Sequence, residues 1–303
     1  MHDTADIVLF TVNEFETSET QAVFDTSLPA ILRAPYRYWD YGAIGGARVV
    51  HMVCNMADLA AGKSARAAMA AWQPSLLIAL GIAWGAPAKD HAIGDVLLAA
   101  PLSDAAYSKF SDDKGMQPRG DMRPPSDSLR QTLKSCSRDW QKQAPDERRK
   151  LHEGKLLSLP TLIDKEALRD ELLAAHPGSI GGEMEGRGMV DAAVEAKCDW
   201  LVLKAICDWG AEKNNIEGQK EIDQQLAARQ AATFLRFAME QGLDGLAVSL
   251  RKPPISGAPA AAPTVGNVTM NIDSVSGTVI GSVGTLNINH GLRPGDVVDG
   301  GNF

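Results

Sequence analysis

Asp208 closes a run of apolar residues, Val202, Leu203, Ala205 and Ile206, that reads as the end of a buried strand, and Trp209 follows it directly. A carboxyl group at a strand end beside apolar neighbours loses hydration, which raises its pKa and fits it to give up a proton. Three other stretches carry residues of the same kind. "TVNEFET" ends the first apolar run in Glu14 and Glu16, and "GGEMEGRGMV" holds Met184 and Glu185 beside Glu183. "LGIAWGAP" places Gly81, Ile82, Ala83 and Trp84 in a glycine-bearing turn whose backbone amides can approach a ligand closely. A strand, helix, strand crossover between "GGEMEGRGMV" and "AICDWG" would bring Met184, Glu185 and Asp208 together. An acid facing a second carboxylate is the arrangement of general acid–base chemistry, for which a protein that only binds has no need.

Each motif also has a plain structural reading. Glu14 taken alone is an ordinary solvated loop residue, and the glycines serve turns. Glu183 and Glu185 suit the first turn of a helix, where the dipole favours each by less than about 1 kcal/mol. "AAGKS", residues 60–64, lacks the glycine that a phosphate-cradling loop needs five positions before Gly62, because Ala57 stands there.

The elements that must position these residues follow from patterning. Residues 6–12, 47–53, 75–82, 95–99 and 200–206 are short, continuously apolar and rich in branched side chains, as strands covered on both faces are. "NMADLAAGKSARAAMAAWQP" predicts an alanine-rich helix that stops near Trp72, ahead of Pro74. A second helix is expected over 185–197, and a third through "EIDQQLAARQAATFLRFAMEQG", stopped by Gly242. Strands alternating with helices predict an α/β layered domain, ending near residue 248, with ligands bound at the carboxyl ends of the strands, where Gly81 and Asp208 lie.

Composition narrows the function classes. The chain has 303 residues, 45% of them hydrophobic and 22% charged, enough for a large core. A formal net charge of −8 argues against wholesale binding to a nucleic acid polymer or an anionic membrane. Cys54, Cys136, Cys198 and Cys207 have no disulfide or zinc-ligand spacing and read as buried thiols of a reducing cytoplasm. The first residues are acidic where a signal peptide is basic, and no apolar run approaches the roughly 18 residues of a membrane span. The expectation is a soluble cytoplasmic protein with no metal and no cofactor.

Three segments stand apart. Lys114 to Lys155 holds eleven Lys or Arg against six Asp or Glu, and "RPPSDSLRQTLKSCSRDWQ" within it predicts a capped helix in an insertion at about 112–155. That insertion is either a solvated face or a patch that meets an anionic ligand. Residues 251–264 form a Pro/Ala-rich linker. Residues 265–303 alternate apolar and polar positions between glycines, predicting tiny strands too small to stand alone, which either pair with other copies or a partner by edge addition or remain a flexible tail.

"LLIALGIAWGAPAKDHAIGDVLLA", "EMEG" and "LVLKAICDWGAEKN", in that order, resemble the purine nucleoside phosphorylase and nucleosidase superfamily over about residues 5–241. The last stretch is especially similar to the nucleosidase modules of fungal immune receptors and bacterial anti-phage systems, which carry an aromatic residue and a Lys-Asn after the Asp, here Trp209, Lys213 and Asn214. The resemblance implies a three-layer α/β fold with a mixed central sheet, carried by residues 1–250, with a small β-rich tail. It implies cleavage of a purine N-glycosidic bond, with an adenine nucleotide such as ATP or AMP as substrate, and a homo-oligomer. Asp208 would protonate N7 of the base, Glu185 hold the ribose hydroxyls and Met184 pack on the sugar. Trp209 and the turn from Gly81 through Ile82 and Ala83 to Trp84 would line the base pocket. Ala79 and Ile82 stand where bacterial phosphorylases carry a phosphate-binding Arg and Ser, which implies hydrolysis, with Glu14 activating water or Glu16 in its place. A methylthioadenosine-type nucleosidase, a phosphate-dependent phosphorylase and a non-catalytic nucleotide-sensing scaffold are the alternatives.

Overall fold

A computed structural model describes residues 4–250, apart from 26, 34, 56–57, 113–114, 145–146 and 212–217. These residues fall within one compact unit, Met1–Pro254. The expected linker (251–264) and tail (265–303), and the Lys213 and Asn214 of the resemblance, lie outside the described residues.

In chain order the elements are β1 (Ile7–Thr11), α1 (Glu14–Phe24), β2 (Ile31–Arg33), β3 (Tyr36–Ile44), β4 (Ala47–Val53), α2 (Asp58–Trp72) and β5 (Leu76–Gly85). Next come β6 (Val96–Asp104), β7 (Ser108–Ser111), β8 (Gly115–Pro118), β9 (Met122–Arg123), α3 (Asp127–Gln143), β10 (Leu151–Ser158) and α4 (Glu166–Ala175). Then follow β11 (Ser179–Glu183), α5 (Gly186–Glu195), β12 (Asp199–Asp208), α6 (Gln219–Ala238), a π turn (Met239–Leu243) and α7 (Asp244–Ser249).

The main sheet runs β11-β10-β6-β12-β5-β1-β4-β3-β2, with β9 paired to β6. It is mixed: β5 is parallel to β1 and β12, while β12 is antiparallel to β6. The end of β5 bends to pair antiparallel with β11 through Trp84 and Gly85, so β5, β12, β6, β10 and β11 close into a ring.

Alternation along the strands splits the core into two layers. Ile7, Leu9, Leu76, Ile78, Leu80, Leu201 and Leu203 pack with α1, α3, α6 and α7, whereas Val8, Phe10, Leu77, Ala79 and Val202 pack with α2 and α5. The central strands are therefore apolar on both faces, which is why they read as unbroken apolar runs. α2 stops at Trp72, and Gln73 takes a positive φ of 49° before Pro74. The third helix departs from expectation: it ends at Ala238, and the chain passes through the π turn, with Gly242 at φ 124°, into α7. The helix expected in the basic insertion is α3, and its buried Leu129, Leu133, Cys136 and Trp140 dock on the α6 layer.

Candidate active site

The carboxyl ends of β1, β5, β11 and β12 surround a cavity of about 130 Å³. Its lining includes Glu16, Glu183, Glu185 and Asp208, with Ile82, Ala83, Trp84 and Met184.

Glu16 reaches the cavity because of how α1 starts. Asn13 is the N-cap and accepts the Glu16 N–H at 2.9 Å, while Glu16 Oε2 accepts the N–H groups of Val12 at 2.7 Å and Asn13 at 3.3 Å. This reciprocal capping box satisfies the open donors of the first turn and fixes the carboxylate. Its other oxygen, Oε1, accepts the Ile82 N–H at 2.9 Å. Gly81 makes that approach possible, since a Cβ there would overlap Oε1. Glu14, the acid expected to activate water, is exposed and does not line the cavity. Two residues along a helix is about 200° of rotation, so only one of Glu14 and Glu16 can face inward, and the capping box makes it Glu16.

Asp208 ends β12, half-buried rather than fully withdrawn from water. The register between β12 and β5 shifts at Cys207, and this irregularity lets the adjacent Cys207 and Asp208 both line the cavity, where a regular strand would send them to opposite faces. Asp208 Oδ1 accepts the Gly210 N–H at 2.8 Å, and the Cys207 thiol donates to Oδ2 at 3.5 Å. The same turn, with Gly210 at φ 65°, carries Trp209 away: its side chain packs on the α2/α5 layer and its carbonyl accepts a hydrogen bond from Arg169 at 3.1 Å. Trp209 is not part of the lining, and among the described residues Trp84 is the aromatic wall. The Trp84 ring lies against Gly182, where a Cβ would approach Cζ2 to 2.5 Å.

β11 delivers the remaining acids. Glu183 is buried, and its Oε2 accepts the N–H groups of Glu185 at 3.0 Å and Gly186 at 2.7 Å, at the start of α5. Burial pushes its pKa up to about 7, against the opposing pull of Lys204. Burial likewise raises Glu16, with Lys204 again opposing and Glu185 reinforcing.

Lys204, in the middle of β12, is 1% exposed, with Nζ 3.6 Å from Glu185 Oε2 and 3.8 Å from Glu16 Oε1. Burial alone would lower its pKa, but Glu16, Glu185 and Glu183 outweigh that and raise it. The sequence reading passed over this residue, although a single lysine inside "LVLKAI" was a visible signal.

None of the described residues of the basic segment lines the cavity, whose described lining contains no Lys or Arg. Arg148 and Arg149 border a separate groove against α6, shared with Arg229. Arg148 is held by Asp95 at 2.6 Å, and Arg130 and Lys134 are held by Glu153. The insertion packs through the apolar stripe of α3, which decides where its charges go. Among the described residues no cluster of His, Cys, Asp or Glu is placed to hold a metal ion, and no helix is long and apolar enough to cross a membrane.

Fold and cavity agree with the sequence comparison. Residues 40–238 match the model of the phosphorylase superfamily. The chain belongs to that superfamily. Glu16 lies outside the matched stretch, whereas Trp84, Glu185 and Asp208 lie inside it. A curated relative, the death domain-containing ATP nucleosidase of Amphimedon queenslandica, is 27% identical over an alignment of 174 positions that covers 52% of this chain and 33% of the relative. The chain thus spans about a third of that protein's length. Among solved structures, the 5'-methylthioadenosine/S-adenosylhomocysteine nucleosidase of Neisseria meningitidis superposes with a TM-score of 0.65 at 15% identity, covering 78% of this chain and 99% of that one. The futalosine hydrolase of Helicobacter pylori gives a TM-score of 0.64 at 18% identity, covering 78% and 98%.

Proposed function

We propose that the chain hydrolyses the N-glycosidic bond of an adenine nucleotide such as ATP or AMP and releases the free base. The observation that carries this reading is the convergence of Glu16, Glu185 and Asp208, from three separate elements, on one cavity walled by Trp84 and Met184. Cleaving the bond builds positive charge on the sugar and negative charge on the departing purine, so a catalyst must stabilise both. Asp208 gives a proton or hydrogen bond to N7 of the base, which stacks on Trp84. Glu185 holds the ribose hydroxyls and Met184 packs on the sugar. Glu16, rather than the expected Glu14, takes the proton from the attacking water. Surplus carboxylate charge around the anomeric carbon favours an oxocarbenium-like sugar and repels inorganic phosphate, which supports hydrolysis over phosphorolysis.

The choice of an adenine nucleotide over a methylthioadenosine-type substrate leans on the name of the curated relative. We infer also a role in anti-phage defence, in the cytoplasm, by a homo-oligomer assembled through residues 265–303. If a chain truncated before residue 255 keeps both its oligomeric state by light scattering and its activity, that assembly role is wrong.

The test of the reaction is chromatography after incubation with ATP, AMP, adenosine, methylthioadenosine and NAD, with and without phosphate. Adenine released without phosphate is expected. Adenine released only with phosphate refutes hydrolysis, and thermal stabilisation by a nucleotide with no base released identifies a sensing module instead.

A further inference from the structure

Lys204 is among the largest fully buried side chains of the protein, yet it is charged. It pairs in register with Gly81 on β5, the residue whose missing side chain leaves room for the Glu16 carboxylate. Its ammonium group therefore lies where α1, β11 and β12 meet. The titratable groups facing it are Glu16 from α1, Glu183 from β11, Glu185 just beyond β11 and Cys54 after β4, while Asp208 shares the cavity. At 3.6 and 3.8 Å, its distances to Glu185 and Glu16 exceed a direct hydrogen bond, so it acts on both as a charge without closing on either.

From this geometry we propose that Lys204 is a positioning residue. Its ammonium group stands within 4 Å of both Glu16 and Glu185, behind the cavity lining, and supplies the positive charge that keeps the buried Glu16 carboxylate able to accept a proton. The inference rests on reading Glu16 as the base that accepts a proton from water, since only the ionised carboxylate can do so. Burial, reinforced by the neighbouring carboxylate of Glu185, drives Glu16 towards its protonated form, and a nearby cation works against that preference. Lys204 is the group that opposes the rise of both Glu16 and Glu183.

The test is the pH profile of kcat for adenine release by the wild type, Lys204→Met and Lys204→Arg. In Lys204→Met the acid limb is expected to move up by one unit or more, which costs about tenfold in rate for each unit at a pH on that limb. KM is expected to stay within about threefold and Lys204→Arg to restore the limb. A folded Lys204→Met enzyme whose acid limb does not move overturns the proposal, because a merely structural lysine would lower stability and leave the profile in place. Infrared difference spectra of the wild type against Glu16→Gln decide the matter even if Lys204→Met fails to fold. A carboxylate band assigned to Glu16 at pH 7 is expected, and a protonated carbonyl band at that pH overturns the proposal. A wild type that releases no base sinks the nucleosidase reading alone, since the infrared measurement needs no turnover.

Discussion

Glu16 and Gly81 are complementary: the carboxylate of the first fills the space that a side chain on the second would occupy. The pairing turns a backbone position on β5 into a determinant of where an acid on α1 can sit. Gly81→Ala is expected to push the carboxylate off the Ile82 N–H and out of the cavity. Base release should fall by about 10²–10⁴-fold, the usual contribution of a placed general base. Chromatographic product assays, with circular dichroism to confirm the fold, check this.

Glu14 and Glu16 separate cleanly by substitution. Glu16→Gln should lose about 10²–10⁴-fold in kcat, while Glu14→Gln, on the exposed side of the first turn, should stay within about twofold of wild type. Equal losses in the two variants would mean that the water-activating role belongs to neither position as assigned. Steady-state kinetics on purified proteins is sufficient.

Glu183 ties stability to pH. Its folded-state pKa is raised from 4.5 to about 7, so between those values the folded protein holds a proton that the unfolded chain has released. The favourable contribution is complete below about 4.5 and is lost as pH rises through about 7. Glu183→Gln cannot lose that proton. The melting temperature of Glu183→Gln relative to wild type is therefore expected to rise from pH 4.5 to pH 8 in a scanning fluorimetry series. A difference that is flat with pH refutes the titration.

Trp140 anchors the basic insertion. Its ring lies 4.9 Å from Phe234 of α6, within the layer that also contains Leu129 and Leu133. Trp140→Ala is expected to destabilise the whole domain by about 3–5 kcal/mol, as large-to-small changes of buried aromatics do. Urea denaturation should report it as one cooperative transition. A separate early transition, with the rest of the domain unaffected, would mean that the insertion is an independent appendage.

Much of this architecture was legible because the central strands are covered on both faces. β1, β4, β5 and β12 stand out as branched apolar runs, and residues such as Ile78, Leu201 and Val202 admit no solvent-facing alternative. β10 and β11 were not read: "LHEGKLLS" is half polar and lies in the basic stretch, and "SIGGE" is too short and glycine-rich to give a pattern. Asp208, Met184, Glu185 and Ile82 to Trp84 do line one cavity, but Gly81 to Trp84 continue β5 to Gly85 where a turn was expected, and Gly81 is not part of the lining. The choice of Glu14 over Glu16 overlooked the spacing of Asn13 and Glu16, which is that of a capping box. Trp209 was expected in the lining and lies outside it because the direction of its ring depends on the Gly210 turn, while the basic segment, left open between a solvated face and an anion-binding patch, has its charges directed by the face that α3 buries.

The ring closed by β5 and β11 pairs Trp84 and Gly85 with Gly182 and Gly181, next to Ile82 and Ala83 on one strand and to Glu183, which ends the other, with Met184 and Glu185 just beyond it. Trp84 and the carboxylates that follow Gly182 are thus anchored on one seam, so a displacement of either strand is transmitted to the other. Rebuilding this protein for a bulkier nucleobase would therefore require compensating changes on both strands together, with Gly182 as the first obstacle, since it already touches the indole.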